Sequence, residues 1–278
     1  MPEPSPPNAL ISSHPLINLH FDGHMHTRYC HHATGAMEEY VLSAINKGLK
    51  HIVFLEHMEA SGVKYFETTW LTDQDFDDYF EEGERLQERY GEQLTIGLGV
   101  EVGYNCAHRQ ELQDRLSRHS WDQVGISYHF MAVPGHSFDL NLVSRKKRNI
   151  QAIAQTGCEG VLDHYFTTLM EAVRVLPGTV LCHLDAALRF QPGVQLTPGH
   201  WQQIGELLDA VKQKNMTLEI NTSGFAIRGT PFPAPAIIQM AIDRAIPLVA
   251  SSDAHRPEDV GRYFHRLPEL LTQLSTLS

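Results

Sequence analysis

Short, nearly uninterrupted apolar runs alternate along this chain with longer stretches in which apolar residues recur every three or four positions. Runs of the first kind mark strands buried on both faces, as in a parallel sheet; the second kind marks amphipathic helices. The pattern predicts strands at Leu16–Phe21, His51–Leu55, Leu94–Val100, Gln123–Tyr128, Thr179–Cys182, Thr217–Ile220 and Pro247–Ser251. It predicts helices at Met37–Lys47, Asp73–Tyr90, His108–Arg118, Arg145–Thr156, Glu159–Leu176, Pro198–Lys214, Pro235–Arg244 and Pro257–Leu274. Seven strand–helix units with no linker-like break fit one closed α/β barrel, with a doubly wound open sheet as the alternative. Residues 1–15, rich in Pro and Ser, are expected to form a flexible leader to a single domain over residues 16–278.

Composition narrows the partners. No apolar run approaches the roughly 20 residues of a membrane span. The N-terminal stretch lacks the charged and apolar regions of a signal peptide. Four cysteines without CxxC spacing point to reduced thiols and a cytoplasmic protein. A formal charge of −11 argues against nucleic acid as a partner. It leaves room for a small phosphorylated metabolite, because a metal cluster makes one pocket positive on a negative protein. The unusual figure is 17 histidines, the commonest transition-metal ligand type.

Position decides what those histidines do. His24 and His26 follow the first predicted strand, His57 the second; Glu101 closes the third, His129 the fourth and His183 the fifth; Asp253 and His255 follow the last. In a parallel barrel these ends converge on one face, where active sites lie. Residues two apart on a strand point the same way, so His24 and His26 can share an ion, as can Asp253 and His255. His32, in the loop after the first strand, can reach the same face. Each motif alone is weak; ligand types at nearly every strand end make the case for a metal centre. His14, His20, His31, His51, His108, His119, His136, His164, His200 and His265 have no such placement and read as surface or packing residues. Arg189 and Arg228, each in a loop after a strand, are candidates for bidentate phosphate binding, against a surface ion pair for each. Gly97-Leu-Gly99 lies inside a strand and so does not read as a dinucleotide loop.

The segments His24-Met-His26-Thr27, Leu55-Glu56-His57, Gly99-Val-Glu101, Ser127-Tyr-His129, Cys182-His183-Leu-Asp185 and Ser251-Ser-Asp253-Ala-His255 resemble the successive motifs of the PHP (polymerase and histidinol phosphatase) superfamily. Glu219-Ile-Asn221-Thr-Ser-Gly224 and the stretch from Ser252 to Gly261 are similar to its histidinol-phosphatase branch. The resemblance runs from about Asn18 to Leu267. It implies a distorted (β/α)7 barrel with two or three divalent ions, an L-histidinol phosphate substrate and a role in histidine biosynthesis. It would place His24, His26, Glu101 and Asp253 on one ion, Glu101, His129 and His183 on a second, and His32, His57 and His255 on a third. Arginines at the positions of Arg189 and Arg228 would hold the phosphate, although Phe225-Ala-Ile-Arg228 is longer than the family's usual Gly-Leu-Arg. Three divalent ions (+6) against two carboxylates (−2) leave +4, suited to a phosphomonoester dianion. Histidine-rich ligation favours Zn, Fe or Mn over Mg or Ca. The implied reaction is attack on phosphorus by a hydroxide bridging the metals, with Asp253 or His255 as candidates for protonating the leaving alkoxide. The alternatives are another PHP phosphatase or phosphodiesterase, an amidohydrolase, whose barrels also begin with His-x-His, and a non-catalytic metal-binding module.

Overall fold

A computed structural model describes residues 14–191 and 193–276, so most of the expected leader, residues 1–13, lies outside the described residues. The strands are β1 (Phe21–Met25), β2 (His51–Met58), β3 (Thr95–Gly103), β4 (Val124–Ser127), β5 (Phe130–Met131), β6 (Leu140–Asn141), β7 (Val180–Leu181), β8 (Thr217–Asn221) and β9 (Leu248–Ser251). Seven form one parallel sheet in the order β1-β2-β3-β4-β7-β8-β9, while β5 and β6 make a separate antiparallel pair. The first and last strands meet at their C-terminal ends. The His26 N–H donates to the Ala254 carbonyl and the Asp253 N–H to the His24 carbonyl, both at 2.9 Å, and Met25 bridges Ala254 in parallel. The sheet is thus a nearly closed barrel. Around it lie α1 (Met37–Asn46), α2 (Asp73–Tyr90), α3 (Arg109–Leu116), α4 (Lys147–Thr156), α5 (Cys158–Val175), α6 (Pro198–Gln213), α7 (Gly224–Arg228), α8 (Pro235–Asp243) and α9 (Leu267–Ser275). No described helix is long and apolar enough to cross a membrane.

The period-2 alternation of each strand splits the core in two. Val53, Leu55, Val180, Cys182 and Val249, with Phe21, form a small cluster inside the barrel. Ile52, Phe54, Val100, Ile126, Leu181, Leu218 and Ala250, which alternate with inward-facing positions, belong to the large cluster between barrel and helices. The bore is narrow, and glycines make room in it. A Cβ on Gly99 would lie 2.6 Å from the Gln123 carbonyl and 2.8 Å from Leu55, and one on Gly125 would lie 2.7 Å from both Leu55 and Cys182. Gly97-Leu-Gly99 therefore serves packing inside the barrel.

Three elements differ from expectation. The first strand is Phe21–Met25, not Leu16–Phe21, because pairing with β2 begins at Phe21↔His51. Ile17 and Leu19 are buried in the core without being part of that strand. Between Asp22↔Ile52 and Met25↔Phe54 the register slips, with three steps on β1 against two on β2. Such a slip re-aims side chains. Gly23 faces Val249 inside the barrel, and the next residue, His24, also faces inward, on Glu219. Second, the C-terminal helix begins only at Leu267; before it stand two single 3-10 turns, Pro257–Asp259 and Phe264–Arg266. The backbone there is diverted because the Gly261 N–H (φ 64) and the Ser252 N–H both donate to Asp22, each at 2.8 Å. Buried Asp22 thus ties β1 to the segment after β9. Third, the β5–β6 pair and the five-residue α7 left no periodic signature.

Gly99→Ala is expected to destabilise the protein by about 1–3 kcal/mol through overpacking. Gly160→Ala, on an exposed position of α5 with nothing within 4 Å of the added carbon, is expected to stabilise it by about 0.5–1 kcal/mol. Urea denaturation of the two variants distinguishes a packed bore from a loose one.

Candidate metal centre

Glu101, at the inward-facing end of β3, has no exposed surface. Its Oε2 lies 2.9 Å from His57 Nδ1, 3.4 Å from His24 Nε2 and 3.7 Å from His26 Nε2. Its Oε1 lies 2.7 Å from His183 Nε2 and 3.2 Å from His129 Nε2. Five imidazoles from the ends of β1, β2, β4 and β7 thus surround one carboxylate. Asp253 Oδ1 is 3.4 Å from His26 Nε2 and 3.5 Å from His255 Nδ1. His32 Nε2 is 2.9 Å from His255 Nε2. All nine ligand candidates therefore sit in one cluster, at the C-terminal end of the barrel.

His32 arrives by a built route. The Thr27 N–H and hydroxyl both donate to buried Glu56, and Thr27 caps the single 3-10 turn Arg28–Cys30. His31 then takes a left-handed conformation (φ 63), which turns His32 back. Two ligand candidates, His183 (φ 23) and Asp253 (φ 48), also lie at positive φ, a costly conformation for non-glycine residues. Glu219 accepts the His183 N–H, and Arg262 donates to the Ser252 and Asp253 carbonyls at 2.8 and 2.9 Å.

The proton positions show why a cation fits here. His32 Nδ1 is 2.9 Å from the Cys30 carbonyl and His255 Nδ1 is 3.1 Å from the Asp253 carbonyl. A carbonyl only accepts, so both rings carry their proton on Nδ1 and face each other with Nε2 lone pairs. Desolvation of its ring by the neighbouring imidazoles, although the residue as a whole is exposed, and after it the charge of His57, pushes His32 down to about 4; burial, against the pull of Asp253, pushes His255 down to about 4. Both rings are neutral at pH 7, so two lone pairs meet at 2.9 Å with no proton between them. In the deeper pair, His24 Nδ1 donates to Glu219 at 2.6 Å, and His24 Nε2 lies 2.9 Å from His26 Nε2. Burial opposes a charge on His24, but Glu219 and Glu101 outweigh it and raise its pKa well above the ordinary histidine value. Burial, then His57 and His255, holds His26 well below it. The 2.9 Å gap between the two Nε2 atoms is thus one that a shared proton or a metal ion can fill. Buried His26 Nδ1, His183 Nδ1 and Glu101 Oε2 make no hydrogen bond, although three ring nitrogens lie within 3.7 Å of that oxygen. Triplets of these groups close enough to hold one ion include His24–His26–Asp253, His26–His57–Glu101 and His32–His57–His255.

Above the cluster lies a small cavity of about 80 Å³, lined by ligand candidates and by Arg189, Thr69, Phe130, Asn141 and Val143. Arg189 packs near the rings of Phe190 and Phe232, and its Nε donates to the Val143 carbonyl at 3.3 Å. Among the described residues its two Nη groups have no protein acceptor. Arg228 is placed differently from expectation. Its guanidinium pairs bidentately with buried Asp185 at 3.0 and 3.0 Å, bonds the Pro231 carbonyl, and does not line the cavity. Asp185 lies in the turn after β7 with its side chain largely buried, and needs that counter-ion.

Two carboxylates escaped the reading of the sequence. Glu219 accepts from His24, from the His183 backbone, from the Ser251 hydroxyl at 2.6 Å and from Asn221. Glu59 accepts from His129 Nδ1 at 2.9 Å. Burial opposes protonation of His129, but Glu101 and then Glu59 raise it to about 10. The missed signal is parity: Glu59 stands two residues beyond His57, and Glu219 is the one charged residue in the apolar run Leu-Glu-Ile.

Residues 22–223 match the PHP domain and residues 237–272 the PHP-associated segment. The chain belongs to the PHP domain family. It is 27% identical over 245 residues to a protein of Deinococcus radiodurans named a probable histidinol-phosphatase, covering 87% of this chain and 89% of that one. It is 26% identical to the histidinol-phosphatase of Bacillus subtilis, covering 86% and 95%. Among solved structures, the histidinol phosphate phosphatase of Lactococcus lactis, complexed with zinc, L-histidinol and phosphate, shares the fold at a TM-score of 0.75. It is 20% identical, with 91% and 93% of the chains covered.

Metal ligation requires deprotonated imidazoles. The carboxylates Glu219 and Glu101 beside His24, and Glu101 and Glu59 beside His129, favour a proton on each ring in the metal-free protein, whereas His32, His57 and His255 are held down at about 4. Loading with Zn²⁺ or Mn²⁺ at pH 7.5 is therefore expected to release about two protons per chain. Calorimetric titration in buffers of differing ionisation enthalpy measures this; metal uptake without proton release contradicts it.

Proposed function

We propose that this chain is a metal-dependent phosphomonoesterase that hydrolyses L-histidinol phosphate to L-histidinol and phosphate. The observation that carries the reading is the cluster of nine ligand-type side chains beneath a cavity whose wall presents an arginine with free Nη groups. The substrate follows from the similarity to histidinol-phosphatases along most of the chain. The ligands we assign are His24, His26, Glu101 and Asp253 for one ion, Glu101, His129 and His183 for a second, and His32, His57 and His255 for a third. Zinc, iron or manganese suits this donor set, and zinc is the first to test because the Lactococcus lactis relative was solved with it. Free thiols at Cys30, Cys106, Cys158 and Cys182 suit a cytoplasmic location.

Divalent ions bound here would supply Lewis acidity towards water and towards a phosphoryl oxygen. The chain's own residues do the rest. Arg189 donates its two Nη groups to phosphoryl oxygens, and the surrounding phenyl rings exclude competing water. Glu101 and Asp253 stay ionised. Burial pushes both up, but His129 and His57 for Glu101, and His26 and His255 for Asp253, hold them well below the usual carboxylate range. Asp253 and His255 both face the ligand cluster, and His255 Nδ1 is engaged with the Asp253 carbonyl. We therefore assign both as ligands and neither as the acid. Arg228 supports the wall through Asp185 without touching phosphate.

Metal-loaded protein should release phosphate from L-histidinol phosphate, and a chelator should abolish this. Arg189→Ala should lower kcat/KM by about 10–100-fold, the loss of a charge-assisted pair to a dianion. Arg228→Ala should lower thermal stability more than it changes KM. Metal-loaded wild type that leaves histidinol phosphate intact while cleaving other phosphomonoesters would overturn the substrate assignment.

A further inference from the structure

The ligand candidates are not alike in depth or in what stands behind them. The deep ones are His24, His26, Glu101, His129, His183 and Asp253, each at most 8% exposed. Two of these are carboxylates. His24 and His129 are each backed by a further buried carboxylate that touches no other ring of the cluster, Glu219 at 2.6 Å and Glu59 at 2.9 Å. Glu219 also accepts the His183 N–H and the Ser251 hydroxyl, and Asn221 bonds both Glu219 and Asp253. One carboxylate thus fixes ligand-bearing segments from β1, β7 and β9. Glu59 fits against Gly103, where any Cβ would strike it at 1.9 Å, and its backbone carbonyl is held by Arg115 at 2.7 Å.

The outer group differs in each respect. His32, His57 and His255 are three imidazoles with no carboxylate among them. His32 is exposed, and the side chains of His57 and His255 are 12% and 29% exposed. His32 Nδ1 is met by the Cys30 carbonyl and His255 Nδ1 by the Asp253 carbonyl, with no further carboxylate behind either ring. His57 and His255 do have carboxylates nearby, but these are Glu101 and Asp253, both already turned towards the deep rings. A carboxylate behind a metal-bound imidazole fixes its tautomer and makes it a stronger donor, worth about 10–100-fold in affinity. Direct carboxylate ligands add charge attraction that screening by solvent weakens at an open site.

We propose that Glu219 and Glu59 are positioning residues that make the deep half of this centre hold metal firmly, and that the outer triad His32–His57–His255 is a weaker, exchangeable site. This rests on the metal assignment above. In the working state the deep metals are resident, while the outer position fills and empties with the metal supply around the protein.

The test is stepwise metal removal. Zinc-loaded protein is equilibrated with increasing concentrations of a chelator, and the metal-to-protein ratio is measured by elemental analysis alongside phosphate release. Wild type should lose metal in two steps at least 10-fold apart in chelator concentration. His32→Ala should lack the first step and keep the second. Glu219→Gln should shift the second step by 10-fold or more towards weaker chelation and leave the first in place. Should Glu219→Gln fail to fold, judged by circular dichroism, Glu59→Gln carries the same expectation. A single loss step, or equal weakening of both steps by Glu219→Gln, overturns the proposal. An active, metal-loaded enzyme with a single step overturns only this inference. Protein that retains no metal overturns the assignment beneath it.

Discussion

A carboxylate with no exposed surface, at the mouth of a barrel whose bore is lined mainly by glycine and apolar side chains, must be matched by positive or donating groups. Glu101 is that carboxylate. Leaving it unpaired would cost several kcal/mol. The surrounding structure supplies five imidazoles from four strand ends, each aimed at one of its two oxygens. A wall of histidines is a poor match for a single charge in the metal-free state. It leaves lone pairs facing each other between His32 and His255, and orphaned nitrogens on His26 and His183. The arrangement makes electrostatic sense when further positive charge is added, and the same demand for anions and cations in alternation extends upward to a phosphate and Arg189.

How much of this was legible in the sequence depended on whether a feature was local and periodic. Parallel strands buried on both faces write themselves as apolar runs, so six of the seven barrel strands fell within a few residues of their expected places. The first did not. Leu16–Phe21 is as apolar as a strand, but what makes β1 a strand is its partner, and His51 opposes Phe21, not Leu16. The register slip beyond Asp22 is likewise a property of two strands. Without it, neighbouring Gly23 and His24 would not both face inward. Eight of the ligand candidates could be named because ligand types at strand ends are rare in combination, while His32, in a loop, was named mainly through the family resemblance. Their supports could not, since Glu219 and Glu59 sit among apolar neighbours and reveal themselves only by the rings they touch. Arg228, for which an ion pair was one of two readings, shows the same limit: sequence gives its loop, and Asp185 decides where its charge goes.

The barrel also shows how a narrow interior serves a site built at its mouth. Leu55 fills the bore against Gly99, Gly125 and Cys182. That packing leaves no slack beneath Glu101 and Glu219, so the ends of β3 and β8 are fixed from below. Strain at His183 and Asp253 is then held by hydrogen bonds to Glu219 and Arg262. A rigid floor and strained rim residues divide the labour: the floor resists displacement, and the rim turns side chains to angles that regular strands do not offer.

The seam between β1 and β9 carries a temporal meaning. His24 and His26 are made within the first tenth of the chain, Asp253 and His255 in the last, and Asp22 waits for Gly261. During synthesis the six earlier strands can pair in order, each with a neighbour already present. The C-terminal end of β1 stays without its second partner until the final strand leaves the ribosome. Contacts across such a separation form late, because the intervening loop must close before they are rewarded. The metal centre therefore stays incomplete until β9 and the residues after it have been made, and a chain truncated before β9 would present seven of the nine ligand candidates on an unclosed sheet edge to whatever metals and chaperones surround it.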